Sequence, residues 1–298
     1  MKTRTLGRTG LAIPELVLGA GWVGGIMIHS DEETRHKAVE TVLNAGSDWI
    51  DTAADYGQGE SEKTIGRVLT ALPESRRPRI STKFRLDLES GEDLEAQLRR
   101  SIETSLTRLG LSKVPLLQLH NPVQPARSGQ MLGLEEVLGK GGVADLLDKV
   151  QADGLCDHIG FTALGDPASI IKVVESGRMD TAQVYYNLLN PTAGLDAAGH
   201  LEVQDFSGLL KACRTHQVGV FNIRVFAAGV LVTDQRHGRE IPITSESDMD
   251  LETKRAEAIH AVLDDDLGSK AQRAIRFSLA NPNISTVVFG AAEMGHMT

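Results

Sequence analysis

The chain has 298 residues, of which 41% are hydrophobic and 24% charged, and its formal net charge is −9. This length suits one large α/β barrel or two ordinary domains, and the near-average composition excludes disordered, fibrous and disulfide-scaffold proteins. An acidic surface repels nucleic acid and anionic lipid, so neither is expected as a partner.

The sequence predicts a cytoplasmic protein without a membrane partner. Residues 1–16 lack the apolar stretch of a signal peptide, and no segment approaches the ~20 apolar residues of a membrane span. Cys156 and Cys213 lack the spacing of a metal or redox motif. We expect both to be small buried side chains in a reducing compartment.

Short apolar runs alternate with longer amphipathic segments, the pattern of parallel strands joined by crossover helices. Strands are predicted at Leu16–Leu18, Trp49–Ile50, Ile80–Thr82, Leu116–Leu119, His158–Phe161, Ala182–Tyr185, Gly219–Ile223 and Thr286–Phe289. One helix is predicted between Asp31 and Gly46, and others at Glu60–Leu72, Leu94–Leu109, Leu134–Gln151, Pro167–Ser176, Leu201–Thr215 and Gly268–Ala280. The alternation has no linker-like break and no repeat, which favours one domain over residues 1–298.

Eight strand–helix units over about 250 residues match the size of a closed (β/α)8 TIM barrel. A doubly wound sheet is the alternative, with Gly19–Gly24 as its dinucleotide fingerprint. No acidic residue follows in the right place on a second strand, so these glycines are predicted to let a loop cross the barrel mouth closely over a ligand. Before the first strand, Thr3–Leu6 and Leu11–Ile13 flank a turn and predict a β-hairpin at the bottom of the barrel.

Four residues that can take part in proton chemistry follow consecutive predicted strands, where barrel enzymes carry their active sites. Asp51 ends the second strand, Tyr56 lies in the loop after it, Lys83 ends the third strand and His120 ends the fourth. Each residue alone is more often a solvated, capping or packing side chain. Together on one rim, they form a candidate catalytic group.

These four residue types suit the reduction of a carbonyl by hydride, which needs a proton donor at the developing alkoxide. Tyr56 is the predicted donor, and the Lys83 ammonium beside it is expected to lower the pKa of its phenol. Asp51 is predicted to keep Lys83 charged and aimed. His120 is predicted to hydrogen-bond the substrate oxygen and fix its orientation.

The sequence resembles the aldo-keto reductases over nearly its whole length, from Leu6 to Gly290, and most closely their L-galactose/aldose 1-dehydrogenase-like branch. The resemblance rests on four blocks: Asp51–Gly57 with Ser61 and Glu62, Ser81–Lys83, Leu117–Asn121, and Gln183–Asn190. It implies an NAD(P)-dependent oxidoreductase whose tetrad is Asp51, Tyr56, Lys83 and His120. It also implies that the cofactor, NAD or NADP, lies extended across the barrel mouth without a Rossmann domain.

The resemblance assigns cofactor contacts to Gly21, Trp22, Asp51, Thr162, Gln183, Ile223, Arg224, Gly290 and Ala291. Gln183 and Thr162 would hold the carboxamide, while Ala163 stands where the family usually has asparagine. Ile223 replaces the tyrosine that commonly stacks on the nicotinamide. Arg224 would reach a cofactor phosphate or a substrate oxygen, unless it only pairs with an acid.

The segment after the eighth strand bears on the cofactor and on the last helix. The amides of Gly290 and Ala291 suit the adenosine phosphate end. Family members that prefer NADP often carry Lys or Arg here, whereas this chain has Glu293 and His296, which favours NAD. The final barrel helix is expected to be missing from these 298 residues and to be supplied by a longer natural chain.

Two functional alternatives stay open at this point. Within oxidoreduction of a small aldehyde, ketone or sugar, NADPH-linked aldehyde reduction competes with NAD-linked oxidation of an aldose at its anomeric carbon. Outside it, the chain would be a cofactor-sensing binding subunit of a larger assembly. A metal-dependent enzyme is disfavoured because His120 has no second ligand at metal-binding spacing. Substrate specificity is assigned to four loops: Trp22–His29, Pro122–Gly133, Pro191–His200 and Thr233–Leu251.

Overall fold

The computed structural model describes residues 1–195, 201–236, 238–240, 248–263 and 265–297, and they include a closed barrel of eight parallel strands. The strands follow one another around the barrel in chain order. Their bounds are Leu16–Gly19, Trp49–Asp51, Arg79–Phe84, Val114–Leu119, Cys156–Ala163, Thr181–Tyr185, Gly219–Ile223 and Thr286–Phe289. The predicted TIM barrel is confirmed, and so are the positions of its eight strands.

Helices surround the barrel, and most begin and end near their predicted bounds. Asp31 caps the first long helix by accepting a hydrogen bond from the Thr34 amide, and Ser269 caps the last in the same way through Gln272. The α-helices are Ile26–His29, Glu32–Asn44, Glu60–Ala71, Leu94–Leu109, Leu134–Leu138, Val143–Ala152, Pro167–Glu175, Leu209–Thr215, Met249–Val262 and Lys270–Ala280.

Four parts of the helix prediction differ from the structure, and one is the short helix Ile26–His29, which falls in the predicted loop Trp22–His29. The segment Leu134–Gln151 forms two helices because glycines, which are poor helix formers, interrupt it between Leu138 and Val143. The helix predicted from Leu201 begins only at Leu209, after Gly208 in the left-handed region at φ 87°. The helix Met249–Val262 was not predicted because Ala256 is its only buried described side chain, so it has little apolar periodicity.

The N-terminal hairpin is confirmed as the antiparallel pair Thr3–Thr5 and Ala12–Pro14. Its side chains Leu6 and Ile13 are buried in a small apolar cluster inside the barrel, with Val17, Trp49, Leu116 and Phe221. The hairpin therefore fills the end of the barrel opposite the carboxyl ends of the strands. The catalytic group predicted from sequence lies at the end of the barrel formed by the carboxyl ends of the strands.

The chain after the last strand forms a short helical turn at Met294–Met297, and Thr298 lies outside the described residues. Parts of two predicted specificity loops, residues 196–200 and 241–247, also lie outside them. Cys156 and Cys213 are both buried and unpaired, as expected. Within the described part of the chain, no helix is long and apolar enough to cross a membrane.

Arg4 links the hairpin to the segment between the last long helix and the last strand. Its guanidinium donates to the carbonyls of Leu279 (2.8 Å) and Ile284 (2.9 Å) and pairs with Glu15 at 2.9 Å. We expect Arg4→Met to lower the free energy of unfolding by about 2 kcal/mol, since hydrogen bonds to charged groups contribute ~1.5–3 kcal/mol. Urea unfolding measures the change.

The control is Arg100→Met, because among the described residues Arg100 pairs with Glu92 alone, at the exposed start of a helix. Its loss should stay below ~1 kcal/mol. Equal losses in the two variants would contradict an anchoring role for Arg4.

Candidate active site

A cleft of about 620 Å³ opens at the carboxyl ends of the barrel strands. This is the end at which TIM-barrel enzymes place their active sites, and the volume suits a small-molecule ligand. Strand ends and the loops that follow them supply the walls, among them Gly21, Trp22, Asp51, Tyr56, His120, Thr162, Gln183, Ile223, Arg224 and Gly290. The loop Trp22–His29 and residues Thr233, Gln235 and Glu240 contribute to the walls, whereas Pro122–Gly133 does not.

Three of the four predicted catalytic residues form a continuous chain of contacts. The Lys83 ammonium donates to Asp51 Oδ2 at 2.6 Å and to the carbonyl of Thr52 at 2.8 Å. Its third contact is the Tyr56 hydroxyl at 3.2 Å. The three N–H donors of Lys83 are therefore all used, and one of them holds the Tyr56 oxygen in place.

Asp51 is buried and held by further donors. Its Oδ1 accepts hydrogen bonds from Ser81 Oγ and Gln183 Nε2, both at 2.8 Å, and from Gln118 Nε2 at 3.3 Å. Trp49 Nε1 in turn donates to Ser81 Oγ. A carboxylate can accept several hydrogen bonds, and this set compensates for the water that Asp51 loses on burial.

Burial raises the pKa of Tyr56, and the Lys83 cation opposes this effect without overcoming it. The expected lowering of the phenol pKa is therefore wrong in its net direction, because desolvation disfavours phenolate more than Lys83 favours it. Burial also disfavours the charge on Lys83, yet Asp51 and Tyr56 hold its pKa above the usual value. Tyr56 therefore keeps its proton at neutral pH, and the Lys83 ammonium beside it stays charged.

The fourth predicted residue, His120, lies edge-on to the Tyr56 ring, with 5.6 Å between ring centroids. Its Nδ1 lies 3.1 Å from Asp55 Oδ1, and the other oxygen of Asp55 pairs with Arg85 Nε at 2.9 Å. Sequence reasoning missed Asp55 and Arg85. Their positions in the sequence could have indicated them, because Asp55 directly precedes Tyr56 and Arg85 follows Lys83 by two residues.

Burial lowers the pKa of His120, against the opposing effect of Asp55, so the imidazole is neutral at pH 7. Burial alone would raise the pKa of Asp55, but its bonds to His120 and Arg85 hold it well below the usual range. The carboxylate of Asp55 is therefore ionised.

The predicted carboxamide contacts lie on the cleft wall beside the catalytic group. Thr162 Oγ1 is buried and has no hydrogen-bond partner among the described residues. The amide nitrogen of Gln183 donates a hydrogen bond to Asp51, and its carbonyl oxygen can accept one from another group. Ala163 is fully buried and does not line the cleft.

The seventh strand leads into Ile223 and Arg224, and both line the cleft. Arg224 has a left-handed backbone with φ 58°, uncommon outside glycine, and Asn187 Nδ2 stabilises it by donating to the Arg224 carbonyl at 2.8 Å. Burial lowers the pKa of the Arg224 guanidinium. The guanidinium remains charged at neutral pH.

The loop after the first strand crosses the cleft against the segment after the last one. A Cβ on Gly24 would lie 3.0 Å from Gly290 Cα and 2.9 Å from the Ala291 amide nitrogen, so only glycine fits this crossing. Gly290 lines the cleft, whereas Ala291 is buried behind the wall and Ala292 takes its place in the lining. The prediction that these glycines allow a close crossing at the barrel mouth agrees with this geometry.

Comparison with known proteins decides the family, because the model described as "Aldo/keto reductase family" matches residues 15–298. The chain belongs to the aldo/keto reductase family. It is therefore an NAD(P)-dependent oxidoreductase. A holo-form aldo-keto reductase from Bacillus halodurans superposes with a TM-score of 0.74 at 19% identity, covering 100% of this chain and 88% of that one, which supports the barrel fold.

Two curated relatives are sugar dehydrogenases. D-threo-aldose 1-dehydrogenase of Pseudomonas sp is 29% identical over 77% of this chain and 71% of its own length. L-galactose dehydrogenase of Arabidopsis thaliana is 27% identical over 100% of this chain and 86% of its own length. The expected resemblance to this branch of the family is confirmed.

The cleft fits a nicotinamide cofactor. The Thr162 hydroxyl and the carbonyl oxygen of Gln183, neither with a hydrogen-bond partner in the part of the chain that the structure describes, offer a primary carboxamide the donor and acceptor it needs. Gly21 has no side chain, which leaves space beside the Tyr56 ring. A Cβ at this position would lie 3.5 Å from a carbon of that ring. A flat ring can approach the Tyr56 hydroxyl through that space.

The contact between Lys83 and Tyr56 predicts the effect of removing the cation. Lys83→Met should raise the pH at which Tyr56 ionises, because the opposing cation is lost and Asp51 is left as an unpaired negative charge nearby. The pH profile of kcat/KM measures the shift. Circular dichroism must show a folded variant, since breaking a buried ion pair costs ~3–5 kcal/mol.

The control is Lys113→Met, which removes a surface lysine paired with Asp157 at 2.7 Å. Its pH profile should match that of the unmodified protein. An unchanged profile in folded Lys83→Met would show that Lys83 has only a structural role.

Proposed function

We propose that the protein oxidises the anomeric hydroxyl of a small aldose, with NAD as the preferred cofactor. The observation that carries the proposal is the Asp51–Lys83–Tyr56 chain, which ends at a hydroxyl facing the cleft beside His120. The likeness to two aldose dehydrogenases over most of the chain supports an aldose as the substrate. The polar groups of Asp55, Arg85 and Gln235 on the cleft wall suit the hydroxyls of a sugar.

In this proposal the cofactor supplies the hydride acceptor, and the chain's own residues handle the proton and the geometry. Tyr56 exchanges a proton with the reacting oxygen of the substrate at its hydroxyl. Lys83, 3.2 Å from that hydroxyl, stabilises the phenolate when the proton is away. Asp51 keeps Lys83 in place, and His120 orients the substrate oxygen by a hydrogen bond.

Other residues of the cleft wall would hold the cofactor. Thr162 and Gln183 would bind the carboxamide, and Ile223 would pack against the nicotinamide ring. Arg224 would contact the pyrophosphate as a half-buried cation of the cleft wall. Gly21, Trp22 and Gly290 would line the path of the remaining dinucleotide, with Ala291 supporting Gly290 from behind.

A panel of aldoses and simple aldehydes, assayed in both directions with NAD and NADP, tests the function. We expect oxidation of an aldose such as L-galactose, and a kcat in Tyr56→Phe at least ~100-fold lower, the usual scale for positioned proton transfer. Cofactor binding should be retained, and the fluorescence of Trp22 in the cleft wall reports it. A near-normal kcat in Tyr56→Phe would remove Tyr56 from the mechanism, and turnover of aldehydes alone would exclude the aldose.

The charges near the cofactor predict its identity. A 2′-phosphate normally binds through Arg or Lys, whereas the segment after the eighth strand has Glu293, 3.6 Å from His296. We expect kcat/KM with NAD to equal or exceed that with NADP. Arg224→Ala should weaken binding of both cofactors by the same factor, because they share the pyrophosphate.

Dissociation constants from Trp22 fluorescence, measured with each cofactor, check this prediction. A tenfold preference for NADP that disappears in Arg224→Ala would place the arginine at the 2′-phosphate instead.

A further inference from the structure

A second cavity, of about 410 Å³, adjoins the cleft at its rim. Arg85 lines both of them, and the other walls of the second cavity come from the loop after the third strand and from one residue of the loop Pro122–Gly133. The lining residues are Arg85, Leu86, Asp87, Glu89, Ser90 and Gln130. The loop Pro122–Gly133, which does not line the cleft itself, therefore reaches the neighbouring cavity through Gln130.

Two buried amide side chains hold the walls of this cavity in place. Asn121 accepts a hydrogen bond from the Leu86 amide at 2.8 Å and donates to the carbonyls of Leu86 (2.9 Å) and Gln130 (3.0 Å). Gln97 accepts from the Asp87 amide at 2.8 Å and donates to the Asp87 carbonyl at 3.1 Å. Both amides are almost fully buried. The walls are therefore preorganised, and a ligand would not have to order them on binding.

Three charged groups of the cavity have unused hydrogen-bonding capacity. Arg85 donates through Nε to Asp55, and its two terminal nitrogens donate to none of the described residues. The Glu89 carboxylate has no hydrogen bond or ion pair within the described ranges. Asp87 Oδ1 accepts from Gln130 and from the Glu89 amide, whereas Oδ2 has no donor in the part of the chain that the structure describes. The cavity therefore offers a ligand both donors and acceptors.

These groups suit a neutral polyhydroxyl compound better than an ion. Each hydroxyl of a sugar can both donate and accept, so neighbouring hydroxyls can bind the carboxylates and the guanidinium together. Asp87 is ionised, because the hydrogen bond from Gln130 lowers its pKa. Two carboxylates repel an anion, and Arg85 repels a metal ion. The described residues also contain no group of three His, Cys, Asp or Glu side chains that could hold a metal.

We propose that this cavity is a second sugar-binding subsite, so that the protein oxidises reducing disaccharides in preference to single aldoses. The reducing ring lies in the cleft with its anomeric hydroxyl at Tyr56, and the second ring extends past Arg85 into the cavity. A second ring linked through any other hydroxyl leaves the anomeric hydroxyl free to react. The inference rests on the proposed function, whose chemistry at the anomeric carbon is unchanged, and extends it to a second ring of the substrate.

The first test measures the kinetic preference with NAD. D-glucose is compared with kojibiose, nigerose, maltose and isomaltose, which carry a second glucose on O2, O3, O4 and O6 of the reducing ring. We expect at least one of these disaccharides to have a kcat/KM about tenfold above that of D-glucose, chiefly through a lower KM, because contacts far from the reacting carbon add binding energy. Oxidation of D-glucose with equal or lower values for all four disaccharides would overturn the inference.

Glu89→Ala tests whether the cavity causes this preference. Glu89 lines the cavity and not the cleft, so its loss should lower the ratio of kcat/KM between the preferred disaccharide and D-glucose about fivefold, the scale of one hydrogen bond to a charged group. The matched control is Glu103→Ala, which removes an exposed carboxylate from the helix Leu94–Leu109 and should leave the ratio unchanged. An unchanged ratio in Glu89→Ala would overturn the inference.

The second test needs no turnover and reads the cavity directly. The side-chain amide of Gln130, 3.0 Å from Asp87 Oδ1, gives a signal in proton–nitrogen NMR spectra of the full chain without cofactor, and Gln130→Glu identifies it. The preferred disaccharide, or each of the four if none is oxidised, should shift this signal more than D-glucose does at the same concentration. In Glu89→Ala the concentration that gives half of the shift should rise about fivefold.

The two tests separate this inference from the proposed function. A shift of the Gln130 signal without oxidation of any sugar would mean that the proposed function fails while the subsite stands. Oxidation of aldoses, with no larger shift from any of the four disaccharides than from D-glucose, would mean the reverse.

Discussion

The buried ion pair between Lys83 and Asp51 is the interaction on which the cleft depends. Two charges out of water are tolerated only when every donor and acceptor is used. Asp51 accepts hydrogen bonds from side chains on three other strands of the barrel, and Lys83 uses its three N–H groups on Asp51, Thr52 and Tyr56. This buried network reaches the cleft at the Tyr56 hydroxyl, and Asp51 and Gln183 also line the cleft.

In the same arrangement, the two groups proposed to react are neutral, and the charges lie on the side chains that contact them. Tyr56 carries its proton because burial raises its pKa, and His120 is neutral because burial lowers its pKa. Each of these two groups contacts a charged side chain: Lys83 contacts the phenol of Tyr56, and Asp55 contacts the imidazole of His120. If Tyr56 and His120 react with the substrate as proposed, the substrate would meet neutral groups that are preorganised by ionised partners.

The sequence predicted the strands and the residues at their ends because both depend on short local patterns. Apolar runs of two to five residues located the buried parallel strands, and the polar residues that follow three of these runs were then placed on the rim. The break within Leu134–Gln151 and the polar helix Met249–Val262 were not predicted, since glycine spacing and weak periodicity carry less information. Asp55 was missed because its partner His120 lies 65 residues away in the chain.

The sequence by itself determined the barrel, its hairpin and the identity of the four polar residues at the strand ends. Only the tertiary structure decided what those residues do to one another. It reversed the expected pKa shift of Tyr56, because the cost of burial outweighs the nearby cation and burial cannot be read from a motif. It also brought Asp55 to the imidazole of His120, since closing the barrel aligns the ends of the second and fourth strands on one rim, and hydrogen bonds form across space and not along the chain.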